Sequence, residues 1–563
     1  MGTFRFFHFD AWAEKVSREI TTNRLRLACL VVPKESSMSK LISATDAAAL
    51  IKDGATLGAA ACAMSGWPEE IAIAMEKRFL TSGHPAKMMF VHASGIGNWK
   101  DKGTSHFAHP GMIAKWIGGH CGLSPDFAKM VLSGGCEGYN LPQGVIAQLW
   151  REIAAHRPGM ITKTGIGTYV DPRLEGGKMN KITTKDIVKV IQFEGEEWLF
   201  YAGFAVDVAI IRGTTADENG NLTVDDEGAL FEILPLAQAA KNSGGIVIAE
   251  VKYIALPGTL NPKSVKVPGV LVDHVVISAP ENHWQSAATL YNPAFSGRIH
   301  SPTGNIPAMA LDDRLIIARR AAMELAPGCA VNLGVGIPQG VAAVAAVEGV
   351  AELTTMTSET GTIGGVPADG HDFGMSYDAD AFVEQQVQFD WYSGGGLDIA
   401  FESFAQVDLD GNVNVSKFNG KSVGCGGFID ITQHAKKVVY VGSFTAGGLK
   451  LAVAGGKLKI ETEGKHKKFV KQVEQITSSG AYASKVRQPV IFVTERCVFE
   501  LQDGHLVLTE IAPGIDIEKD ILAQMEFKPR TQPAPKPMDP GIFQPKWGRL
   551  KTILTSKSQG NLS

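Results

Sequence analysis

Two stretches of this chain copy one another, and the copy limits the folds open to it. "DVAIIRGTTADENGNLTV" begins at Asp207 and "DIAFESFAQVDLDGNVNV" at Asp398. Asp207 is followed 10, 13 and 14 positions later by Asp217, Gly220 and Asn221, and Asp398 at the same offsets by Asp408, Gly411 and Asn412. Each copy reads as an apolar strand, a tight Asn-Gly or Asp-Gly turn, and a second strand. "AQAAK" (237–241) and "TQHAK" (432–436) follow as helix ends that enter buried strands. Upstream, "DGATLGAAACAMSGWPEEI" (53–71) and "PGCAVNLGVGIPQGV" (327–341) both read strand, glycine-rich loop, proline, helix start, and proline is well tolerated at the first helical turn. A duplicated unit of this size predicts two related domains, and 563 residues are too many for one core.

Apolar runs such as "GIVIAEV" (245–251), "HVVIS" (274–278) and "KVVYVGSF" (437–444) are typical of strands buried on both faces. Their alternation with helical stretches predicts open α/β domains with mainly parallel sheets. The expected division is a first domain over 38–277, a linker over 278–313 rich in Pro, Ser, Gly and Asn, and a second domain over 314–527. Residues 528–563 form a Pro-rich C-terminal tail, read as an extended strap or a solvated tail. The first domain carries an extra stretch, roughly 95–185, without a partner in the second. Residues 1–37 lack the pattern of a signal peptide, and Asp10, Glu14 and Glu19 weigh against a transit peptide; they read as an extension outside the core, with Met38 as an alternative start.

Formal net charge is -4, which gives no electrostatic case for nucleic acid or anionic membrane as partner. The seven cysteines form no C-x-x-C pair, a pattern that fits a reducing cytoplasm better than a zinc or redox site. No apolar run has the roughly 18–20 residues that span a bilayer. The sequence has no P-loop and no H-E-x-x-H, and its histidines form no cluster at metal spacing. No metal and no tightly bound cofactor are expected. His120, beside Cys121 in "GGHCG", reads as packing near a turn.

One carboxylate stands out. Glu359 lies in "TSETGTIGG" (357–365), after a β-prone run and before three glycines. That places it at the C-terminal end of a strand, where open α/β sheets bind ligands, with glycines that let a substrate come close. A second glycine cluster, "FNGKSVGCGGFID" (418–430), could aim backbone N–H groups at an oxyanion or could simply make turns. A lone carboxylate with donors and no titratable partner suits covalent catalysis. A solvated acid in a polar turn is the other reading.

At this point the chain resembles the family I coenzyme A transferases over about residues 38–545. The resemblance is nearest to the fused, acetate/propionate type with α and β halves in one chain. It rests on "GHCGLSP" (119–125), "YNLPQGV" (139–145), "GIGTYVDPRLEGGKMN" (165–180), "KVPGVLVDHVVI" (266–277), "NLGVGIPQG" (332–340), "SETGTIGG" (358–365), "KFNGK" (417–421) and "GGFIDI" (426–431), all in one order. It implies a fold shared with sugar-phosphate isomerases and exchange of coenzyme A between short-chain acyl-CoA thioesters and free acids such as acetate, propionate, butyrate or acetoacetate. By resemblance Glu359 is the nucleophile of a ping-pong double displacement through a glutamyl-CoA thioester. Oxyanion donors are then expected from Gly426 and Gly427 and from the loop at Val335 and Gly336. Gln143 either faces the reacting carbonyl or only opens a helix. Asn419 and Lys421 are expected at coenzyme A, with Lys421 either a phosphate partner or a solvated loop lysine. Coenzyme A is a substrate here, and a cytoplasmic homodimer or homotetramer is implied.

Two departures bear on the acid. Thr360 stands where the mammalian ketoacid-type relatives have asparagine, which argues against a dedicated succinyl/acetoacetate enzyme. "GAAACAMSGWP" (58–68) replaces the usual Gly-Gly-Phe loop. The small Ala59–Ala63 leave room at the acyl end, with Trp67 expected as a wall. Acyl-CoA hydrolysis through the same glutamate and a non-catalytic ligand sensor are the alternatives. Dependence of CoA-ester consumption on an added acid separates hydrolysis from transfer.

Overall fold

The computed structural model describes residues 40–301 and 309–560; the segment 1–37 lies outside the described residues. The first sheet has seven strands: β1 (Thr56–Ala59), β2 (Met88–His92), β3 (Ile113–Gly118), β4 (Glu137–Asn140), β5 (Val208–Arg212), β6 (Ile246–Val251) and β7 (His274–Ile277). Their order is β7-β6-β5-β1-β2-β3-β4, with every pairing parallel. The second sheet has ten: β8 (Ala330–Leu333), β9 (Thr355–Thr357), β10 (Thr362–Ile363), β11 (Ala381–Phe382), β12 (Ile399–Ser403), β13 (Lys437–Val441), β14 (Val490–Val493), β15 (Cys497–Gln502), β16 (His505–Ile511) and β17 (Arg530–Pro537). Its order is β11-β10-β9-β8-β12-β13-β14-β15-β16-β17. The centre, β9-β8-β12-β13-β14, is parallel, and antiparallel strands extend it on both sides.

The sequence copy is a structural copy. Asp207 Oδ2 accepts the Thr56 N–H at 2.8 Å, and Asp398 Oδ2 accepts the Ala330 N–H at 2.8 Å. In both, the first carboxylate of the repeat ties the start of one central strand to its neighbour. In the turns, Asp217 Oδ1 takes the Asn221 N–H at 2.9 Å and Asp408 Oδ1 the Asn412 N–H at 3.0 Å. Gly220 and Gly411 have φ of 85° and 74°, so the turn needs a residue without a β-carbon. The strand–loop–proline–helix units also match: β1 runs through Pro68 into α1 (Glu69–Ser82), and β8 through Pro338 into the helix Gly340–Val347.

Three apolar clusters hold the layers. One covers the outer face of the first sheet and includes Leu57, Phe90, Trp116 and Ile210. Another covers the outer face of the second sheet and includes Val331, Phe401, Val439 and Val493. The largest joins the two inner faces. It runs through α2 (Gln143–Ala154), α3 (Ile233–Asn242), α4 (Gln385–Ser393) and α5 (Phe428–His434). Because both faces of each sheet are covered, the central strands are apolar at consecutive positions, as in "VAIIR" and "VIFV". Among the described residues no helix is long and apolar enough to cross a membrane.

The stretch 278–313 is packed over much of its described part. Phe295 is buried against Tyr377, rings 4.8 Å apart, and His283, Gln285 and Ser286 are buried. The C-terminal segment is a strap. After β17 pairs with β16, Met538, Ile542, Phe543, Trp547, Leu550 and Leu554 fill the outer face of the second sheet. The Arg319 guanidinium donates to the carbonyls of Ile542, Gln544 and Pro545. Proline suits this path because the strap is an edge strand with N–H groups to spare. Replacing Phe543 with Ala is expected to cost about 3–5 kcal/mol by cavity creation, read as a lower midpoint in chemical unfolding.

Candidate active site

The inner faces of the two sheets meet at their strand ends, and Glu359 lies at that seam. It caps a two-strand turn in which β9 folds back onto β10: the Ser358 N–H reaches Thr362 O at 2.9 Å and the Gly361 N–H reaches Ser358 O at 3.0 Å. The turn glycines make room for the chain itself. A β-carbon on Gly361 would sit 2.0 Å from Val383 O, and one on Gly365 2.1 Å from Tyr377 O. Space at the carboxylate comes from the other half of the cluster. A β-carbon on Gly427 would already be 3.6 Å from Glu359 Cγ, so any larger residue would crowd the nucleophilic position.

Glu359 is partly buried, and loss of solvent raises its pKa above the ordinary carboxylate value. The Ser358 hydroxyl, 3.3 Å from Oε2, and the Asn332 amide oppose that shift. Asn332 is fixed from beneath: its Nδ2 donates to Thr357 O and to the Tyr392 hydroxyl, both at 3.3 Å. Ser358 is held by Thr360, whose Oγ1 is 3.0 Å from Ser358 Oγ and donates to Gly374 O at 2.6 Å.

The first half contributes the opposite wall. Gln143 opens α2, its N–H donates to Gly426 O at 3.0 Å, and its buried Nε2 has no acceptor among the described residues. The seam is also tied by Gly144 N–H to Asp430 Oδ2 at 3.0 Å and by Gln385 Nε2 to Ser94 Oγ at 2.9 Å. Cys62, from the 58–68 loop, is buried within electrostatic reach of Glu359 and Glu232, and its thiol pKa is driven upward. It is therefore a neutral thiol rather than a thiolate.

The expected oxyanion donors divide into two groups. The Gly426 N–H is committed to Gly119 O at 2.8 Å, and the Gly336 N–H to Gln339 Oε1 at 2.9 Å. Both are corrections, since a donor already bonded within the protein stabilises no oxyanion without a rearrangement. The Gly427 and Val335 N–H groups have no acceptor among the described residues. Val335 is 52% exposed, at the mouth of the site. Trp67 is also not a wall. It is fully buried in the outer core of the first half, its ring packed edge-on against Phe90 and Phe107.

Asn419 and Lys421 occupy a short hairpin, Lys417–Phe418 against Lys421–Ser422, that leads into Gly426 and Gly427. The turn amides of Asn419 and Gly420 already meet the Glu474 carboxylate, at 3.1 and 3.2 Å. The Lys421 ammonium is exposed and carries no ion pair among the described residues. His120 is half-buried at a turn, its Nδ1 accepting the Gly122 N–H at 3.2 Å, with loss of solvent lowering its pKa to about 4.

Residues 41–278 match the family model described as Coenzyme A transferase. The chain is 50% identical to a caffeate CoA-transferase of Acetobacterium woodii, over 92% of this chain and all of that one. The chain belongs to the coenzyme A transferase family. The acetate CoA-transferase YdiF of Escherichia coli O157:H7 is 40% identical over 91% of this chain and 96% of its own. A crystal structure of the YdiF apoenzyme superposes with a TM-score of 0.85, covering 91% of this chain and 97% of that one. A YdiF thioester complex with CoA superposes at 0.84.

This CoA-transferase surrounds Glu359 with polar residues that the linear sequence did not flag. Asn332, Ser358 and Tyr392 support the carboxylate, and nothing in an apolar strand or helix marks Asn332 or Tyr392 in advance. Two further acids lie nearby. Glu402, in β12, was legible as a lone charge in the apolar run "IAFES". Glu232 is fully buried, with no hydrogen-bond partner for either oxygen among the described residues, and burial raises its pKa to about 8. A raised carboxylate pKa means the folded state holds its proton more tightly. The stabilisation is full below the ordinary value near 4.5 and is lost as pH climbs towards 8. Glu232→Gln is therefore expected to melt near wild type at pH 5 and higher than wild type at pH 8, by on the order of 5 °C. A difference that does not change with pH would count against this.

Proposed function

We propose that this CoA-transferase, which exchanges CoA between acyl-CoA thioesters and free carboxylic acids, does so by ping-pong double displacement at Glu359. Glu359 Oε attacks the thioester carbonyl and expels CoA thiolate, giving an acyl-glutamyl anhydride. The thiolate attacks Glu359 Cδ and releases the first acid, leaving a glutamyl-CoA thioester. The second acid reverses both steps and leaves as its CoA ester. One thioester replaces another of similar energy, so the exchange needs no external energy source.

The observation that carries this reading is the setting of Glu359: a carboxylate raised in basicity by burial, steadied by Ser358 and Asn332, and packed beside Gly427, where a side chain would crowd it. A poorly solvated carboxylate is a better nucleophile than a hydrated one. The Gly427 and Val335 N–H groups and Gln143 Nε2 are the free donors for the tetrahedral oxyanions, and such donors are worth about 10²–10³ in rate. Lys421, exposed and without an ion pair among the described residues, is the candidate partner of a CoA phosphate, with Asn419 a further CoA contact. The substrates are short-chain acids such as acetate, propionate, butyrate or acetoacetate. That choice is supported by Thr360 and by a relative named for acetate. The working enzyme is a homodimer or homotetramer in the cytoplasm, with domains at 38–277 and 314–527.

Intact-protein mass after addition of acetyl-CoA without acceptor tests the mechanism. A CoA-sized adduct, with borohydride reduction then altering only the peptide containing Glu359, is expected. A folded protein that never forms the adduct contradicts it.

A further inference from the structure

The neighbour of Glu359 that the mechanism leaves unused is a second acid, Glu402. The strands explain its position. β8 and β12 pair with Leu333 opposite Phe401, which sets Gly334 beside Glu402 at the C-terminal edge of the sheet. Alternation along each strand puts Glu402 on the same face as Asn332 and Ala400, the face that looks onto Glu359. Its carboxyl lies over Gly334, where a β-carbon would come within 2.2 Å of Oε2. Gly334 begins the loop whose Val335 N–H is free. Glu402 is only 6% exposed, yet it has no hydrogen-bond partner and no ion pair among the described residues.

We propose that Glu402 is a substrate-positioning residue: as an un-ionised acid it walls the reaction cavity and donates a hydrogen bond to the carboxylate of the incoming acceptor acid. The idea rests on the transferase mechanism through Glu359. A buried carboxyl without partners is costly as an anion, and the charge it faces is another carboxylate, Glu359, from the turn after β9. Tyr440 from β13 is the other titratable group it faces, and that phenol is driven further from ionisation. β8 contributes only Gly334 at the contact. Burial and Glu359 together hold Glu402 well above the usual carboxylate range. Of the two carboxyls, Glu402 therefore keeps its proton while Glu359 attacks. A neutral acid offers one O–H to an anion, where an ionised one would repel it. When the acceptor arrives Glu359 is a neutral glutamyl-CoA thioester, so an ionised Glu402 would set a second, buried negative charge against the acceptor carboxylate.

The test uses full-length protein, acetyl-CoA as donor and propionate as acceptor, with wild type, Glu402→Gln and Glu402→Leu. The CoA adduct formed without acceptor reads the first half-reaction, and the propionate KM reads the second. Glu402→Leu is expected still to form the CoA adduct and to raise the propionate KM by ~10-fold or more, the effect of a lost hydrogen bond to a charge. Glu402→Gln keeps an N–H donor and cannot ionise. Its propionate KM is expected near wild type at neutral pH and flat towards alkaline pH, where the wild-type KM climbs as Glu402 ionises. Propionate is already ionised across that range, so the climb cannot come from the substrate. If Glu402→Leu leaves the propionate KM unchanged, or if Glu402→Gln keeps the alkaline climb, the inference is wrong. If Glu402→Leu fails to fold, the Glu402→Gln pH profile decides alone. Wild-type protein that forms no adduct removes the underlying mechanism, and the inference with it, which separates that failure from a failure of Glu402 itself.

Discussion

Glu359→Gln is expected to lower acetyl-CoA:propionate exchange by on the order of 10⁴-fold or more, because it replaces the nucleophilic carboxylate with a neutral, non-nucleophilic amide. The substitution keeps the shape and the contacts with Ser358 and Asn332, so folding should be intact. Binding should survive too: the KM for acetyl-CoA is expected to change little, with the loss falling on kcat. Glu359→Asp should also be severely impaired. The shorter chain withdraws the nucleophile by about one bond length from a cavity whose wall is set by Gly427, and a misplacement of about 1 Å costs roughly 10²-fold. Steady-state rates and adduct mass in the same preparations check both. Residual exchange at even a tenth of wild type in Glu359→Gln, without deamidation back to glutamate, would place the nucleophile elsewhere.

The second large effect is on stability. Arg212, in β5, is buried with Glu227 at 2.6 Å, and its guanidinium also donates to Met64 O at 3.1 Å and Trp67 O at 2.9 Å. Those two carbonyls belong to the 58–68 loop that carries Cys62 to the site. His283, from the stretch between the halves, completes the group. Burial and Arg212 lower its pKa to about 4, so it is neutral and donates Nε2–H to Glu227 Oε1 at 2.9 Å. Arg212 and His283 hold the Glu227 carboxyl far below the usual range despite its burial. Glu227→Ala leaves an uncompensated buried guanidinium, and the expected cost is about 3–5 kcal/mol. Glu227's own contribution is full above the ordinary carboxylate value and is lost only as pH falls below it, so the deficit should be constant between pH 6 and 8. Guanidinium chloride unfolding followed by circular dichroism reads it. Adding Arg212→Met to Glu227→Ala removes the stranded charge and is expected to recover part of the loss. A double variant less stable than the single one would show that the pair acts otherwise.

The two effects come from different parts of the same construction. Glu359 is supported locally, by its own turn and by Asn332 one strand away. The 58–68 loop is held from far along the chain, by Arg212, Glu227 and His283. Glu227→Ala is therefore also expected to raise the KM for the acid, through a wall that is less firmly held.

Much of this molecule is written in its sequence because the information is local. The repeat at Asp207 and Asp398 dictates two matching units, since an aspartate, a glycine and an asparagine at fixed offsets make the same turn wherever they occur. Continuous apolar strands require covered faces, and Glu359 at the end of a strand follows from chain direction alone. The sequence could not say which glycines serve the substrate. Gly361 and Gly365 serve the chain's own packing, while Gly427, some 70 residues downstream, opens the space at Glu359. Nor could it say that the N–H groups of Gly426 and Gly336 are already bonded, or that Trp67 faces the outer core. Asn332, Tyr392 and Glu402 reach Glu359 only because β-sheet pairing and the closure of two inner faces bring together residues distant in sequence. Turn chemistry and strand periodicity belong to neighbouring residues and can be read along the chain. The donors, walls and charges of the site are set by which faces meet, and that is decided only when the two sheets pack.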